Sequence, residues 1–380
     1  MKKILLGLVC FFAFLPVFYA EEDLAPNSKS AILIEASTGR ILFEKNSDEQ
    51  LKPASMTKIM SMLLIMEAID SGKLSLEDSV MISKNASSMG GSQIFLQEGE
   101  TYKVAELLKG VAIASGNDAV IALSEKVGGS VENFVKMMND RAKELGLSNT
   151  HFVNPHGLDA ENHYSSARDM SIMGRELIKH EKILEFTSIY EDYLKKPDGS
   201  STWLVNTNKL VRFYNGADGL KTGFTEGAGY CVTTTAKRSE MRILSVVMGV
   251  ETPDKRSSDT TNLLNYGFNT YQVESILKKG EVLGSIKVLG GKSEVVDVVL
   301  LEDIREIVRV NEEKKSYQHE VILQEISAPV RVGDVVGQII IKDNNGKEVT
   351  KKDLTVKEDI EKANIWDLFQ RNLRFFISFV

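Results

Sequence analysis

Two extended, apolar runs near the start of the chain, Ala31 to Glu35 and Arg40 to Glu44, are joined by Ser37-Thr38-Gly39 and predict a β-hairpin. No further strand pattern of that kind follows for a long stretch. Val104 to Ala114, Asp118 to Val127, Val131 to Leu145 and Ala167 to Ile178 instead repeat apolar residues at helical spacing. Strand signals return at Cys231 to Ala236 and Arg242 to Val250, turning at Lys237-Arg238-Ser239-Glu240, and a helix from about Ser257 to Tyr271 follows. Early strands, a helical insertion, late strands and a closing helix predict an α+β domain over residues 21 to 275, whose antiparallel sheet is completed by both ends.

Past residue 275 the texture changes. Val282 to Val288, Val295 to Leu301, Ile307 to Val310, Glu320 to Leu323 and Val336 to Ile341 are short β-rich runs. Gly290-Gly291, Gly333-Asp334 and Asn344-Asn345-Gly346 punctuate them. A small all-β domain is expected over residues 276 to 358. It holds no nucleophile with an adjacent base, so a spacer or binding role fits it better than catalysis.

The two ends carry targeting signals. Lys2 and Lys3 precede an uncharged apolar run to Ala20 and then Glu21, Glu22 and Asp23, the layout of a secretory signal peptide over residues 1 to 20. An uncleaved anchor is the alternative, although the run is shorter than the ~20 residues of a typical span. Cys10 lies in that leader, which leaves Cys231 alone in the exported chain and no intramolecular disulfide. From 364 to 380 a helix would gather Ile365, Trp366, Leu368, Phe369, Leu373, Phe375, Phe376, Ile377, Phe379 and Val380 on one broad face. At ~1.5 Å per residue it is about 25 Å long, and its charges favour lying in a membrane surface over crossing it. Packing on the body of the protein is the competing reading. The net charge of −7, from 46 basic and 53 acidic residues, argues against a nucleic-acid partner.

Chemistry concentrates at Ser55-Met56-Thr57-Lys58, where helical spacing begins after Pro53 and ends at Ser71-Gly72. Residues three apart share a helix face, so the Ser55 hydroxyl and the Lys58 amine can meet within one turn. The amine is a base only when neutral, which calls for burial and a second nearby cation. Ser115-Gly116-Asn117 offers a hydroxyl and an amide between two helical runs, a weak pattern since Ser83-Lys84-Asn85 also fits it. Lys221-Thr222-Gly223 occurs once and opens the late strand region. It supplies a cation, a hydroxyl suited to a carboxylate, and a glycine expected to let a substrate backbone approach the strand.

In that order the three motifs resemble those of the penicillin-interacting serine enzymes. Gly116 in the middle motif, with Pro53-Ala54-Ser55-Met56-Thr57-Lys58, Asn154-Pro155-His156-Gly157-Leu158, Asn206-Thr207-Asn208 and Gly227-Ala228-Gly229-Tyr230, resembles the serine D-alanyl-D-alanine carboxypeptidase branch. The resemblance implies a DD-peptidase/β-lactamase-like fold and an enzyme at the outer face of the cytoplasmic membrane. Such an enzyme trims the terminal D-alanine of peptidoglycan stem peptides and is acylated by β-lactams. By position it implies Ser55 as nucleophile, Lys58 as base, and Ser115 and Lys221 in the proton and charge network. It further implies the backbone N–H groups of Ser55 and Phe224 as an oxyanion hole, Thr222 and Arg256 on the substrate carboxylate, and Asn117 on the peptide. Phe224 stands where relatives often have His or Tyr, which a backbone donor survives. His156 and His163 are expected in structural hydrogen bonds. No metal spacing such as His-Glu-x-x-His occurs, and no cofactor is expected. A β-lactamase is the rival enzyme, lacking here a Glu-x-x-x-Asn element for a deacylating water. A non-catalytic peptidoglycan-binding protein is the rival of another class.

Overall fold

The computed structural model describes residues 23–312, 315–367 and 369. The expected signal peptide lies outside the described residues, as does most of the expected terminal helix. Among the described residues no helix is long and apolar enough to cross a membrane.

The early and late strands meet in one five-stranded antiparallel sheet. Its order is Ile41–Lys45, Ser30–Glu35, Met241–Val250, Gly229–Arg238 and Ala217–Thr225. Ser30–Glu35 sits directly against Met241–Val250, with Ile32 opposite Val246. Successive residues of a strand point to opposite faces. Ile32 and Ile34 accordingly join the core beneath the helices, while Ala31 and Leu33 join a second core beneath the helix Pro253–Thr270. Burial on both faces is why Ser30–Glu35 reads as a continuous apolar run.

The inserted helices surround Lys58–Asp70, which is buried continuously from Lys58 to Met66. A helix apolar on all sides can only be central. Val104–Ala114, Asn117–Gly128, Val131–Glu144 and Ala167–Lys179 fall within a few residues of their sequence patterns. The closing helix begins at Pro253, four residues earlier than expected, because the Thr252 hydroxyl caps it by accepting from Lys255 N. Two small hairpins carried too little apolar pattern to be anticipated, Ser79–Met81 with Thr101–Lys103 and Glu191–Lys195 with Ser201–Val205.

Tyr271–Leu277 and Ile304–Arg309 form a two-stranded ribbon across the expected boundary at 275/276. Tyr271 and Ile307 belong to the second core of the first domain, and Ile304 to the core of the β domain. The remainder of the β domain is a six-stranded sheet in the order Gln318–Leu323, Gly337–Lys342, Glu348–Val356, Val295–Leu300, Val282–Leu289 and Ile326–Ser327.

Candidate active site

Pro53 leads into a 3-10 turn, Ala54–Thr57, which runs directly into the helix that starts at Lys58. Lys58 Nζ lies 3.1 Å from Ser55 Oγ, 2.7 Å from Asn117 Oδ1 and 2.8 Å from the His156 carbonyl oxygen. Asn117 Nδ2 donates to the Gly90 carbonyl at 2.7 Å, which fixes the amide so that its oxygen faces the lysine. Two of the three neighbours of Lys58 can therefore only accept. A neutral amine has two N–H groups and one lone pair. With both N–H groups committed to Asn117 and His156, the lone pair is left for the Ser55 hydroxyl.

The surroundings favour that neutral form. Lys58 is fully buried, and burial lowers its pKa well below the usual lysine range; the charge of Lys221 lowers it further, while Asp118 opposes both. Lys221 is itself buried, and burial together with the Arg256 guanidinium brings it to about 7. Arg256, in the first turns of the closing helix, is also buried, and among the described residues no carboxylate forms an ion pair with it.

Ser115 ends the helix Val104–Ala114 in a left-handed conformation, φ 63°. Its hydroxyl is buried and has no hydrogen-bond partner among the described residues. Lys221 Nζ donates to the Thr222 carbonyl oxygen at 2.9 Å. Neither lysine amine makes a direct hydrogen bond to the Ser115 hydroxyl. Thr222 Oγ1 donates to Thr207 Oγ1 at 2.7 Å, and the Phe224 ring stacks on Tyr230 with centroids 4.3 Å apart.

Gly223 has a packing task that the sequence did not suggest. A Cβ there would lie 2.7 Å from the Pro53 carbonyl oxygen and 3.1 Å from Ser55 N. The glycine lets the strand touch the turn that carries Ser55. His163 takes Val153 N on Nδ1 at 3.0 Å and therefore directs its Nε2 proton to Thr57 Oγ1 at 2.8 Å. His156 Nδ1 accepts from Leu158 N. Burial is the first cause that pushes both imidazoles down to about 4, so both are neutral at physiological pH.

Two contributors were given no role from the sequence, although Thr207 lies in the Asn206-Thr207-Asn208 motif. Asp118, buried in the first turn of Asn117–Gly128, accepts from Ile94 N, Leu96 N and Ala119 N. Thr207 sits between two asparagines that bond backbone on both sides, Asn206 to Thr187 and Ile189, Asn208 to Gly219. Its signal was the Asn-Thr-Asn triplet itself, since Asn side chains pin irregular backbone.

Residues 18–252 match the family described as D-alanyl-D-alanine carboxypeptidase, and residues 271–362 match the C-terminal domain of penicillin-binding protein 5. The chain is 45% identical over 380 residues to the D-alanyl-D-alanine carboxypeptidase DacF of Bacillus subtilis, covering 98% of this chain and 97% of that one. It is similar to the crystal structure of penicillin binding protein 5 from Haemophilus influenzae at 32% identity and TM-score 0.71, over 88% of this chain and 98% of that one. Penicillin-Binding Protein D2 from Listeria monocytogenes, solved in an ampicillin-bound form, matches at 33% identity and TM-score 0.58 over 64% of this chain and 98% of its own. With a buried lysine amine against a serine hydroxyl, and with these matches along nearly its whole length, the chain belongs to the D-alanyl-D-alanine carboxypeptidase family.

Proposed function

We propose that Ser55 is the nucleophile of a serine D-alanyl-D-alanine carboxypeptidase acting on peptidoglycan stem peptides. One observation carries the assignment: two of the three groups facing Lys58 Nζ can only accept, so once the amine is neutral its lone pair is left for Ser55. As Ser55 Oγ attacks the carbonyl of the penultimate D-alanine, its proton passes to Lys58. The developing oxyanion is held by the backbone N–H groups of Ser55 and Phe224. The terminal carboxylate is taken by Thr222 and by Arg256, a buried guanidinium with no ion-pair partner among the described residues. Asn117 holds the peptide, and Ser115, with an uncommitted buried hydroxyl, relays a proton to the departing D-alanine nitrogen. The C–N bond breaks, free D-alanine leaves, and water then hydrolyses the ester on Ser55. A β-lactam ring opens by the same attack and leaves a covalent acyl group on the same oxygen.

Release of D-alanine from a peptide ending in D-Ala-D-Ala, followed by mass spectrometry, tests the reading. The native chain releases it and Ser55→Ala does not; release by a fully folded Ser55→Ala chain would overturn the assignment.

The reading extends to location. Residues 1 to 20 direct export, and residues 364 to 380 lie in the outer face of the cytoplasmic membrane. Support comes from three described apolar residues at the start of that segment, Ile365, Trp366 and Phe369, all exposed. Deleting residues 364 to 380 is expected to release active protein from membranes. A truncated chain that sediments with membranes as before would remove the helix from the account.

A further inference from the structure

One carboxylate outside the assigned set ties together two backbone segments that catalysis needs at a fixed separation. Asp159 Oδ1 accepts from Thr225 Oγ1 at 2.8 Å, and Oδ2 accepts from Lys52 Nζ at 2.9 Å. Thr225 is the last residue of the strand Ala217–Thr225 and directly follows Phe224. Lys52 directly precedes Pro53, on the way into the Ser55 turn. Thr225 Oγ1 also accepts from Ala228 N at 3.0 Å, so the hydroxyl closes the turn while its proton is committed to Asp159. Gly227 makes the approach possible, because a Cβ there would lie 2.4 Å from Asp159 Oδ2 and 2.5 Å from Lys52 Nζ. Two residues before Asp159, Gly157 lies so close to Ala54 that a Cβ would fall 1.8 Å from its carbonyl oxygen.

The strand is the edge of its sheet, so no neighbouring strand restrains its outer side. Contact between Gly223 and Pro53 fixes one point of the strand against the Ser55 turn. A single point leaves a pivot; a second point removes it. We propose that Asp159 is a positioning residue for the oxyanion hole: through Thr225 on one side and Lys52 on the other, its carboxylate holds the Phe224 end of the strand against the Ser55 turn. This rests on the Ser55 and Phe224 N–H groups being the hole. Donors of that kind act through being in place before charge develops, and displacement by about 1 Å is costly in rate. The Lys52–Asp159 pair is partly exposed, with side chains 45% and 32% accessible, so its removal is expected to alter global stability little.

The test uses the full chain with Asp159→Asn, Thr225→Val and Thr225→Ser, active sites being counted by titration with a labelled penicillin. For each, kcat and KM are measured on a D-Ala-D-Ala peptide, together with affinity for a peptide-like boronic acid whose tetrahedral adduct places an oxygen in the hole. Asp159→Asn and Thr225→Val are expected to lower kcat about tenfold, a fraction of the effect of deleting a whole donor. Boronate affinity falls by a similar factor, KM stays within about twofold, and Thr225→Ser restores both; uniform binding would change KM alone. Unchanged kcat, a loss confined to KM, or a loss of kcat with boronate affinity intact would each overturn the inference. Ser55→Ala serves as the control: if it still releases D-alanine, the nucleophile assignment fails, whereas an inactive Ser55→Ala beside a fully active Asp159→Asn removes the positioning role alone.

Discussion

At the scale of single residues, the site works by placing positive charges where each one weakens the next. Arg256 lowers Lys221, and Lys221 lowers Lys58, on top of the burial that lowers all three. The sign can be tested. Replacing Lys221 by Gln removes a cation whose presence disfavours protonated Lys58, so the Lys58 pKa rises toward its usual range. The acidic limb of the pH profile for acylation by penicillin should therefore move to higher pH, with the rate at pH 7 reduced and partly recovered at pH 9. An acidic limb that stayed in place would show that Lys221 does not tune the base. Gly223→Ala is a second residue-scale case. Its Cβ would meet the Pro53 carbonyl oxygen and Ser55 N, so the turn carrying Ser55 must retreat from the strand. The expected outcome is a loss of ~100-fold or more in acylation rate from misplacement of the reacting groups, measured by stopped-flow fluorescence on folded protein. The pairing of Ser55 with Lys58 was legible from their spacing. The second function of Gly223 was not, because a glycine's neighbours in space are not its neighbours in sequence.

At the scale of elements, the segment before Asn117 shows how a site borrows rigidity from a carboxylate. Gly90 O and Ser92 O receive the side-chain and backbone N–H groups of Asn117, and Asp118 holds Ile94 N and Leu96 N of the same segment. Phe95 between them has φ 61°, a conformation that needs such holding. Asp118→Ala leaves three buried N–H groups, those of Ile94, Leu96 and Ala119, without this acceptor, at roughly 1–3 kcal/mol each. The variant should unfold earlier in urea and be cut faster by protease within residues 90 to 96; equal protection in native and variant protein would show that the segment is held by other contacts. Helices were readable at this scale because Val104–Ala114 and Ala167–Lys179 keep one apolar face over three turns. The segment 90 to 96 was not, since its order comes from one distant carboxylate rather than from a periodic pattern.

On the scale of the whole molecule, the ribbon Tyr271–Leu277 with Ile304–Arg309 makes the two sheets interdependent. Tyr271 and Ile307 complete the core under Pro253–Thr270, and Arg40 donates to the Ile307 carbonyl oxygen across the junction. A chain ending at Thr270 retains every residue assigned to catalysis but loses those two buried side chains. It is expected to react with penicillin at the native rate at low temperature and to melt ~5 °C or more below the full chain by calorimetry. An unchanged Tm would mean that the ribbon rests on the first domain without stabilising it.

The α+β layout, the pairing of Ser55 with Lys58 and the order of the three motifs were readable from the chain alone. These follow from hydrophobic period and from i to i+3 spacing, which are properties of local chain geometry. Which atoms Lys58 faces, the contact of Gly223 with the Ser55 turn, and the span of Asp159 from Lys52 to Thr225 emerge only in three dimensions. Those depend on contacts between segments far apart along the chain, which local spacing does not encode. The same separation explains the opening hairpin: its pattern was visible in the residues themselves, but its register against Met241–Val250 depends on one face packing under the helical block and the other under Pro253–Thr270.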